Sequence, residues 1–390
     1  MNPEPLGLYV HIPFCTALCN YCNFNRGLFD ADLKTQYVDA LVTEIERAGR
    51  SGATDGPGGR DGSGGEKADT IFFGGGTPSL LEPHDIERII SACAASFDVA
   101  SASEITLEAN PESVTEARLA AFRRAGVNRL SVGVQSFRDD ELRRLSRLHT
   151  ADRARAAVAE ARAAGFDNLS LDLMMWLPGQ GVGDWLTSVD AAIALSPDHL
   201  SLYLLEVYPN APLKDDMARA RWSQAPDEDA AEMYLAALDR LDAAGYEQYE
   251  ISNVARPGRR SRHNLKYWTD GEWLGFGCGA HSTRDGVRWK NVASPEEFAQ
   301  RIARRESTAI DLRRLSEDER LGDALFTGLR LVDGINEDGI RRRYGVDVWR
   351  RFGPDLVRFL EAGCLRRDDA RLHLTRRGML LANEVMTVFV

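Results

Sequence analysis

Six short runs of β-branched and aliphatic residues, each followed by a longer amphipathic stretch, leave this chain few ways to fold. Strands are predicted over 8–12, 70–73, 104–108, 129–134, 168–174 and 199–205, and helices over 32–48, 83–97, 114–125, 151–164 and 184–195. Strands that alternate with helices build a parallel sheet, because each helical crossover returns the chain in the same direction with a right-handed turn. Such a sheet is either open and doubly wound or curled into a barrel. The polar residues decide between the two. Cys15, the run Gly74-Gly75-Gly76-Thr77, Glu108, Gln135, Asp172 and Glu206 stand at the C-terminal ends of successive strands. An open sheet gathers its site at one switch point, whereas a barrel draws the ends of many strands onto one face. The pattern predicts an α/β fold built on a partial, TIM-like (β/α)6 barrel over residues 1–210.

The segment 49–67 is dense in glycine with serine, aspartate and proline. It is too poor in apolar side chains to offset the entropy of ordering and reads as a flexible surface loop. Residues 211–300 read as an extension packed on the barrel. Residues 301–390 have helices near 317–329, 336–344 and 353–362 and an alternating stretch at 371–374, the pattern of a small helical domain of winged-helix type. The 59 acidic residues outnumber the 48 basic ones, giving a net charge of −11. That balance argues against nucleic acid as a partner and limits any membrane contact to a peripheral one, since polyanions require a positive field. No basic-then-apolar leader opens the sequence and no run reaches spanning length, so the expected location is the cytoplasm.

Three of the six cysteines, Cys15, Cys19 and Cys22, fall in a CxxxCxxC run directly after the first strand. Three thiolates on one tight loop can ligate three irons of a 4Fe-4S cubane and leave the fourth iron without a protein ligand, open to a small molecule. A structural zinc site would want a fourth Cys or His, and its cysteines pair more often as CxxC. Cys93, Cys278 and Cys364 are scattered among apolar residues and read as small buried side chains.

The spacing, together with Gly74-Gly75-Gly76-Thr77-Pro78 after the second strand, resembles the radical S-adenosylmethionine superfamily. Within it the chain is similar to the coproporphyrinogen oxidase group over nearly its whole length, through YVHIPFC, FFGGGTPSLL, LEANPES, SVGVQSF, LDLMMWLPGQ, HNLKYW and GFGCGAHS. The resemblance implies that Tyr9, Gly75, Gly76, Thr77, Glu108, Gln135, Arg147 and Asp172 contact S-adenosylmethionine. The chemistry suits them: carboxylates accept from ammonium and hydroxyl groups, a glutamine bonds in both directions, and an arginine pairs with a carboxylate. One departure is Trp176, which stands where a glycine is usual before Leu-Pro-Gly and is expected to reshape the neighbouring pocket.

The group's oxidases carry CxxxCxxCxC and a long extension ahead of it. Here Phe24 occupies the place of the last cysteine and fourteen residues precede Cys15. The chain instead resembles the group's haem-chaperone branch, marked by HNxxYW, present as His263-Asn264-Leu265-Lys266-Tyr267-Trp268. On a helix, the i, i+4 spacing places His263 and Tyr267 on one face, where an imidazole can ligate haem iron and an aromatic ring can lie on the macrocycle. Trp268 joins them as a haem contact, and Arg259, Arg260 and Arg262 are candidates for the propionates. The alternative for this motif is that it packs the helix against the barrel, with His263 as a satisfied hydrogen-bonding residue. The resemblance implies a haem chaperone that binds haem, the cluster and S-adenosylmethionine and hands haem to an acceptor haemoprotein of the respiratory kind, with a homodimer as the expected assembly. The competing expectation is an oxygen-independent coproporphyrinogen III oxidase, removing porphyrinogen propionates by radical oxidative decarboxylation.

Overall fold

The computed structural model of the protein describes residues 4–51 and 65–390. All six predicted strands form: β1 (Leu6–Ile12), β2 (Lys67–Gly75), β3 (Asp98–Ala109), β4 (Arg129–Gln135), β5 (Leu169–Met175) and β6 (His199–Leu204). They pair in parallel and in sequence order. Between them cross α1 (Ala31–Ser51), α2 (Pro83–Ser96), α3 (Glu116–Arg124), α4 (Ala151–Ala163) and α5 (Val182–Ala194). Local chemistry starts these helices where the sequence does. Pro83 opens α2, and the Thr115 and Thr150 hydroxyls accept from the N–H groups of Arg118 and Arg153 to cap α3 and α4.

The strands alternate in the manner of a barrel wall. Leu8, Val10, Ile71, Phe73, Leu107, Leu130, Val132, Leu171 and Leu173 are fully buried within the main apolar core. The intervening positions, among them Thr70, Thr106, Arg129, Ser131, Ser170 and His199, are also buried yet polar. Of the predicted loop over 49–67, residues 52–64 lie outside the described residues; its start completes α1.

Two additions lengthen the sheet. Trp273–Phe276 pairs in parallel with β1, and His281–Arg284, Val287–Asn291 and Ala309–Arg314 continue antiparallel beyond it. At the opposite edge Asn253–Ala255 and Glu247–Glu250 continue antiparallel from β6. The segment predicted to pack on the barrel therefore extends the barrel's own sheet, which reaches twelve strands. The boundary expected at 301 falls inside that sheet, because Ala309–Arg314 satisfies its backbone against Val287–Asn291. Past it, helices Glu317–Gly328, Glu337–Tyr344 and Val348–Glu361 lead into the hairpin Leu365–Asp368 and Arg371–Leu374, completed by Ile335–Asn336 as a third strand. This helix–strand–helix–helix–hairpin order is the predicted winged-helix arrangement.

The N-terminal end of the barrel is closed by the helix Arg262–Trp268. The Glu104 carboxylate on β3 accepts from the backbone N–H groups of Arg262 and His263, each at 3.1 Å, where the helix begins. Lys266 donates to the Pro5 carbonyl at 2.7 Å and pairs with Asp69 at 2.7 Å. Removing the Glu104 acceptor leaves the buried His263 N–H and the part-buried Arg262 N–H unpaired, so Glu104→Ala is expected to cost about 2 kcal/mol. Differential scanning calorimetry should record this as a fall in Tm of about 4 °C, with about half of it recovered in Glu104→Gln, whose amide keeps one acceptor oxygen for the two N–H groups. An unchanged Tm in the alanine variant contradicts the assignment of Glu104 as the anchor of this helix.

Candidate functional site

Cys15 ends a two-residue extension of β1's course, Phe14–Cys15, which pairs in parallel with Gly27–Leu28 after the loop has turned back. The turn is pinned at its base by Gly27 N–H to Pro13 O at 2.7 Å and Phe29 N–H to Cys15 O at 2.9 Å. The GFGCGAHS motif holds the return limb. Asn25 donates to the carbonyls of Cys278 (3.2 Å) and Ala293 (3.0 Å), and the Tyr37 hydroxyl joins His11 O to the Cys278 N–H. Cys93, Cys278 and Cys364 are buried as read from the sequence; burial pushes the Cys93 and Cys278 thiols up to about 12.

Cys15, Cys19 and Cys22 all line one cleft of about 450 Å³ at the C-terminal ends of the strands, a size typical of small-molecule sites. None of the three is in a disulfide. Among the described residues no three His, Cys, Asp or Glu side chains converge to hold a single metal ion, a demand that a multi-iron cubane does not make. Gly76 is needed beside them, since a Cβ there would lie 2.9 Å from Cys15 Sγ and 2.7 Å from the Phe14 carbonyl. The donor set suits an iron–sulfur cluster: three free thiols facing one open cavity, with a backbone pared down to let a group approach them.

Seven of the eight residues expected around S-adenosylmethionine line this same cleft: Gly75, Gly76, Thr77, Glu108, Gln135, Arg147 and Asp172. Tyr9 does not. It lies below the cleft inside the barrel, stacked on Phe72 and bonded through its hydroxyl to His11 Nδ1 at 3.1 Å. Glu108 accepts from the Gly75 N–H at 3.2 Å and shares the cleft with Asp172, which accepts from Ser131 Oγ. Burial first, and the neighbouring Asp172 second, push the Glu108 carboxyl up to about 8. Gln135 sits at a bulge in the pairing of β4 with β5 and adopts a left-handed φ of 66°. Its Oε1 is buried with no partner, and so is Arg147 Nε. On the wall of a cleft, such atoms are places where a polar ligand can supply the partner. Trp176, by contrast, does not reshape the cleft: it adopts the φ of 63° that makes glycine usual there, and its indole N–H turns away to the Ala225 carbonyl at 2.8 Å.

The HNxxYW motif lies elsewhere. His263 is buried on the barrel's inner side, where Nδ1 meets Thr70 Oγ1 at 2.8 Å, Nε2 meets the Tyr267 hydroxyl at 2.9 Å, and the ring stacks on Phe72. Burial drives its pKa down to about 3. In this structure the motif takes the packing arrangement rather than presenting an imidazole to a ligand, because both ring nitrogens are already engaged. Tyr267 packs edge-on against Trp273, and Trp268 lies under the Arg330 guanidinium. The three upstream arginines also face acids: Arg262 pairs with Asp69, Arg260 with Asp333, and Arg259 with Asp198 and Asp167.

The cleft also contains residues to which the sequence assigned no ligand contact. Asn110 joins two predicted residues, donating to Thr77 Oγ1 at 3.1 Å and accepting from Arg147 at 2.6 Å; its place in LEANPES was the available signal. Phe24, Tyr203, Leu204 and Tyr208 line the mouth of the cleft and are all exposed, Phe24 by 68%. Leu18 and Leu28 of the cysteine loop are exposed as well.

A barrel that brings three thiols and a glycine-lined cavity to its C-terminal face defines a radical S-adenosylmethionine protein. The sequence profile of the radical SAM superfamily matches residues 9–192, and that of the HemN C-terminal domain matches residues 315–381. The chain is 34% identical to the haem chaperone HemW of Bacillus subtilis over 98% of each chain, and 34% identical to HemW of Escherichia coli over 99% of this chain and 98% of that one. It is also 36% identical to the bovine mitochondrial radical S-adenosyl methionine domain-containing protein 1, over 97% of this chain and 86% of that one. Its fold matches the solved structure of the Escherichia coli coproporphyrinogen III oxidase HemN with a TM-score of 0.85, at 24% identity, over 99% of this chain and 90% of that one. The chain belongs to the HemW family.

Proposed function

We propose that the protein is a haem chaperone: it binds haem, a 4Fe-4S cluster and S-adenosylmethionine, and passes haem to acceptor haemoproteins. The end-to-end similarity to proteins named haem chaperones carries this reading. Cys15, Cys19 and Cys22 would hold the cluster. Gly75, Gly76, Thr77, Glu108, Gln135, Arg147 and Asp172 would hold S-adenosylmethionine, with Tyr9 supporting the cleft from below. Once bound, the cluster supplies an iron site and an electron to the ligand beside it. The residues of the chain itself bind, orient and exclude water.

The surface that suits haem is the apolar collar of Phe24, Tyr203, Leu204 and Tyr208 around the cleft mouth. Other large apolar side chains are exposed on this protein, but these four line the mouth of one cleft, and apolar side chains gathered in that way mark a binding surface. A flat macrocycle can lie on such a collar, while His263, Tyr267 and Trp268 hold the closed end of the barrel. The acceptor would be a haemoprotein of the respiratory kind, met in the cytoplasm or at a membrane surface; among the described residues no helix is long and apolar enough to cross a membrane. A homodimer remains part of the proposal. The oxidase reading is weaker, because Phe24 stands 68% exposed where that motif carries its further cysteine.

Haem titration of the cluster-reconstituted protein, followed by the Soret band, tests this. The wild type should shift the band. The double variant Phe24→Asp, Leu204→Asp should bind about tenfold more weakly, as expected from losing a little over 1 kcal/mol of apolar contact, whereas His263→Ala should retain the shift. No shift in the wild type overturns the chaperone reading, and loss confined to a folded His263→Ala moves the haem site to the closed end of the barrel.

A further inference from the structure

Each of the three cluster thiols faces its own hydrogen-bond donor, and one of those donors belongs to the cysteine loop itself. Thr77 Oγ1 lies 3.6 Å from Cys15 Sγ, and Arg147 Nη1 lies 3.6 Å from Cys19 Sγ. Arg26 makes the close contact: its Nε donates to Cys22 Sγ at 2.9 Å. The same guanidinium donates through Nη2 to the carbonyls of Cys19 (2.9 Å) and Cys22 (2.6 Å). The residue is held from both sides. Asn25 before it is tied to Cys278 and Ala293, and Gly27 after it is bonded to Pro13. Arg26 thus spans the last turn of the loop in a fixed fork, which a flexible ammonium does not reproduce.

The consequence follows from charge. Three thiolates and their sulfides make the cluster anionic, and each electron it accepts makes it more so. Hydrogen bonds to the ligand sulfurs and nearby positive charge stabilise the reduced form and raise the potential. We propose that Arg26 is a positioning residue that holds the Cys22 thiolate and sets the reduction potential of the cluster. This rests on the reading of Cys15, Cys19 and Cys22 as cluster ligands. Arg147, on Cys19 from the opposite wall, supplies a second positive charge, but its Nη2 is committed to Asn110 and the Gly133 carbonyl. Arg26 is the one that shares a loop with the sulfur it contacts.

The test is an EPR-monitored potentiometric titration, with dithionite as reductant and redox mediators, of anaerobically reconstituted wild type, Arg26→Gln and Arg26→Lys, each with its iron content measured. Arg26→Gln is expected to load iron normally and to be reduced about tenfold less favourably than the wild type, a midpoint about 59 mV lower for a one-electron couple. Arg26→Lys, which keeps the charge without the fork, should fall between them. If Arg26→Gln carries full iron with the wild-type midpoint, the proposal is overturned. If Arg26→Gln does not load iron, Arg26→Lys decides: a lowered midpoint supports the proposal and a wild-type midpoint overturns it. A wild type that takes up no cluster fails at a different point, the assignment of the three cysteines.

Discussion

Replacing Cys15, Cys19 or Cys22 singly with alanine should lower the iron and sulfide retained after anaerobic reconstitution by about tenfold, because a cubane left with two protein ligands loses its anchorage. The broad visible absorbance of the cluster should disappear with them. The comparison that makes this specific is Cys93→Ala. Cys93 is on the core-facing side of α2, fully buried among apolar residues and outside the lining of the cleft. Its loss should cost stability of about 1 kcal/mol through the small cavity it leaves while iron content stays at the wild-type level. Equal iron loss in both kinds of variant would mean that the cluster is sensitive to fold stability in general and would remove the case for the three-thiol cleft.

The second large effect concerns pH. Burial, then Asp172, raise the Glu108 carboxyl from its ordinary 4.5 to about 8, against the lowering influence of the Gly75 N–H and Arg129. A carboxyl raised in the folded state keeps its proton where the unfolded chain has lost it. It therefore contributes stability that is fully present below about 4.5 and is lost as pH rises toward about 8. Ligand binding runs the other way. S-adenosylmethionine carries a sulfonium, and a cation placed beside Glu108 favours the ionised form, so binding below pH 8 releases a proton. Affinity should then tighten by up to about tenfold per pH unit on approaching 8 and level off above it. Isothermal titration in buffers of different ionisation enthalpy should count that proton. In Glu108→Gln the slope contributed by this group should vanish, and the ligand's own ionisation cancels in the comparison. A slope identical in the two proteins would remove Glu108 from the ligand's surroundings.

Much of the barrel can be read in the chain because both of its signals are local. Alternating apolar residues mark β1 to β6, and the polar residue that ends each strand marks the face on which the site assembles, so Glu108, Gln135 and Asp172 meet at the cleft as expected. The edges of the sheet are less legible. Val287–Asn291 and Ala309–Arg314 carry as many charged as apolar side chains, and their membership in the sheet depends on pairing with each other, not on their own pattern. The depth of His263 is hidden for a similar reason. Helical spacing states which residues share a face with it, but the partners that fix its ring are Thr70 and Phe72 on β2, nearly two hundred positions away. Trp176 shows the reverse case: the sequence marks the departure from glycine, yet only the bond to Ala225 reveals where the indole goes. Arg26 lies outside every motif and becomes visible once the loop's return limb is seen to place it on Cys22.

The central claim is that the three thiols leave one iron for a small molecule. EPR of the dithionite-reduced, reconstituted protein with and without S-adenosylmethionine tests it most directly, with Mössbauer spectra of the iron-57 form in parallel. The account predicts a cubane whose g values change on addition of the ligand and one iron subsite whose Mössbauer parameters separate from the other three. Spectra indifferent to S-adenosylmethionine, from a protein shown to carry its full cluster, would contradict it.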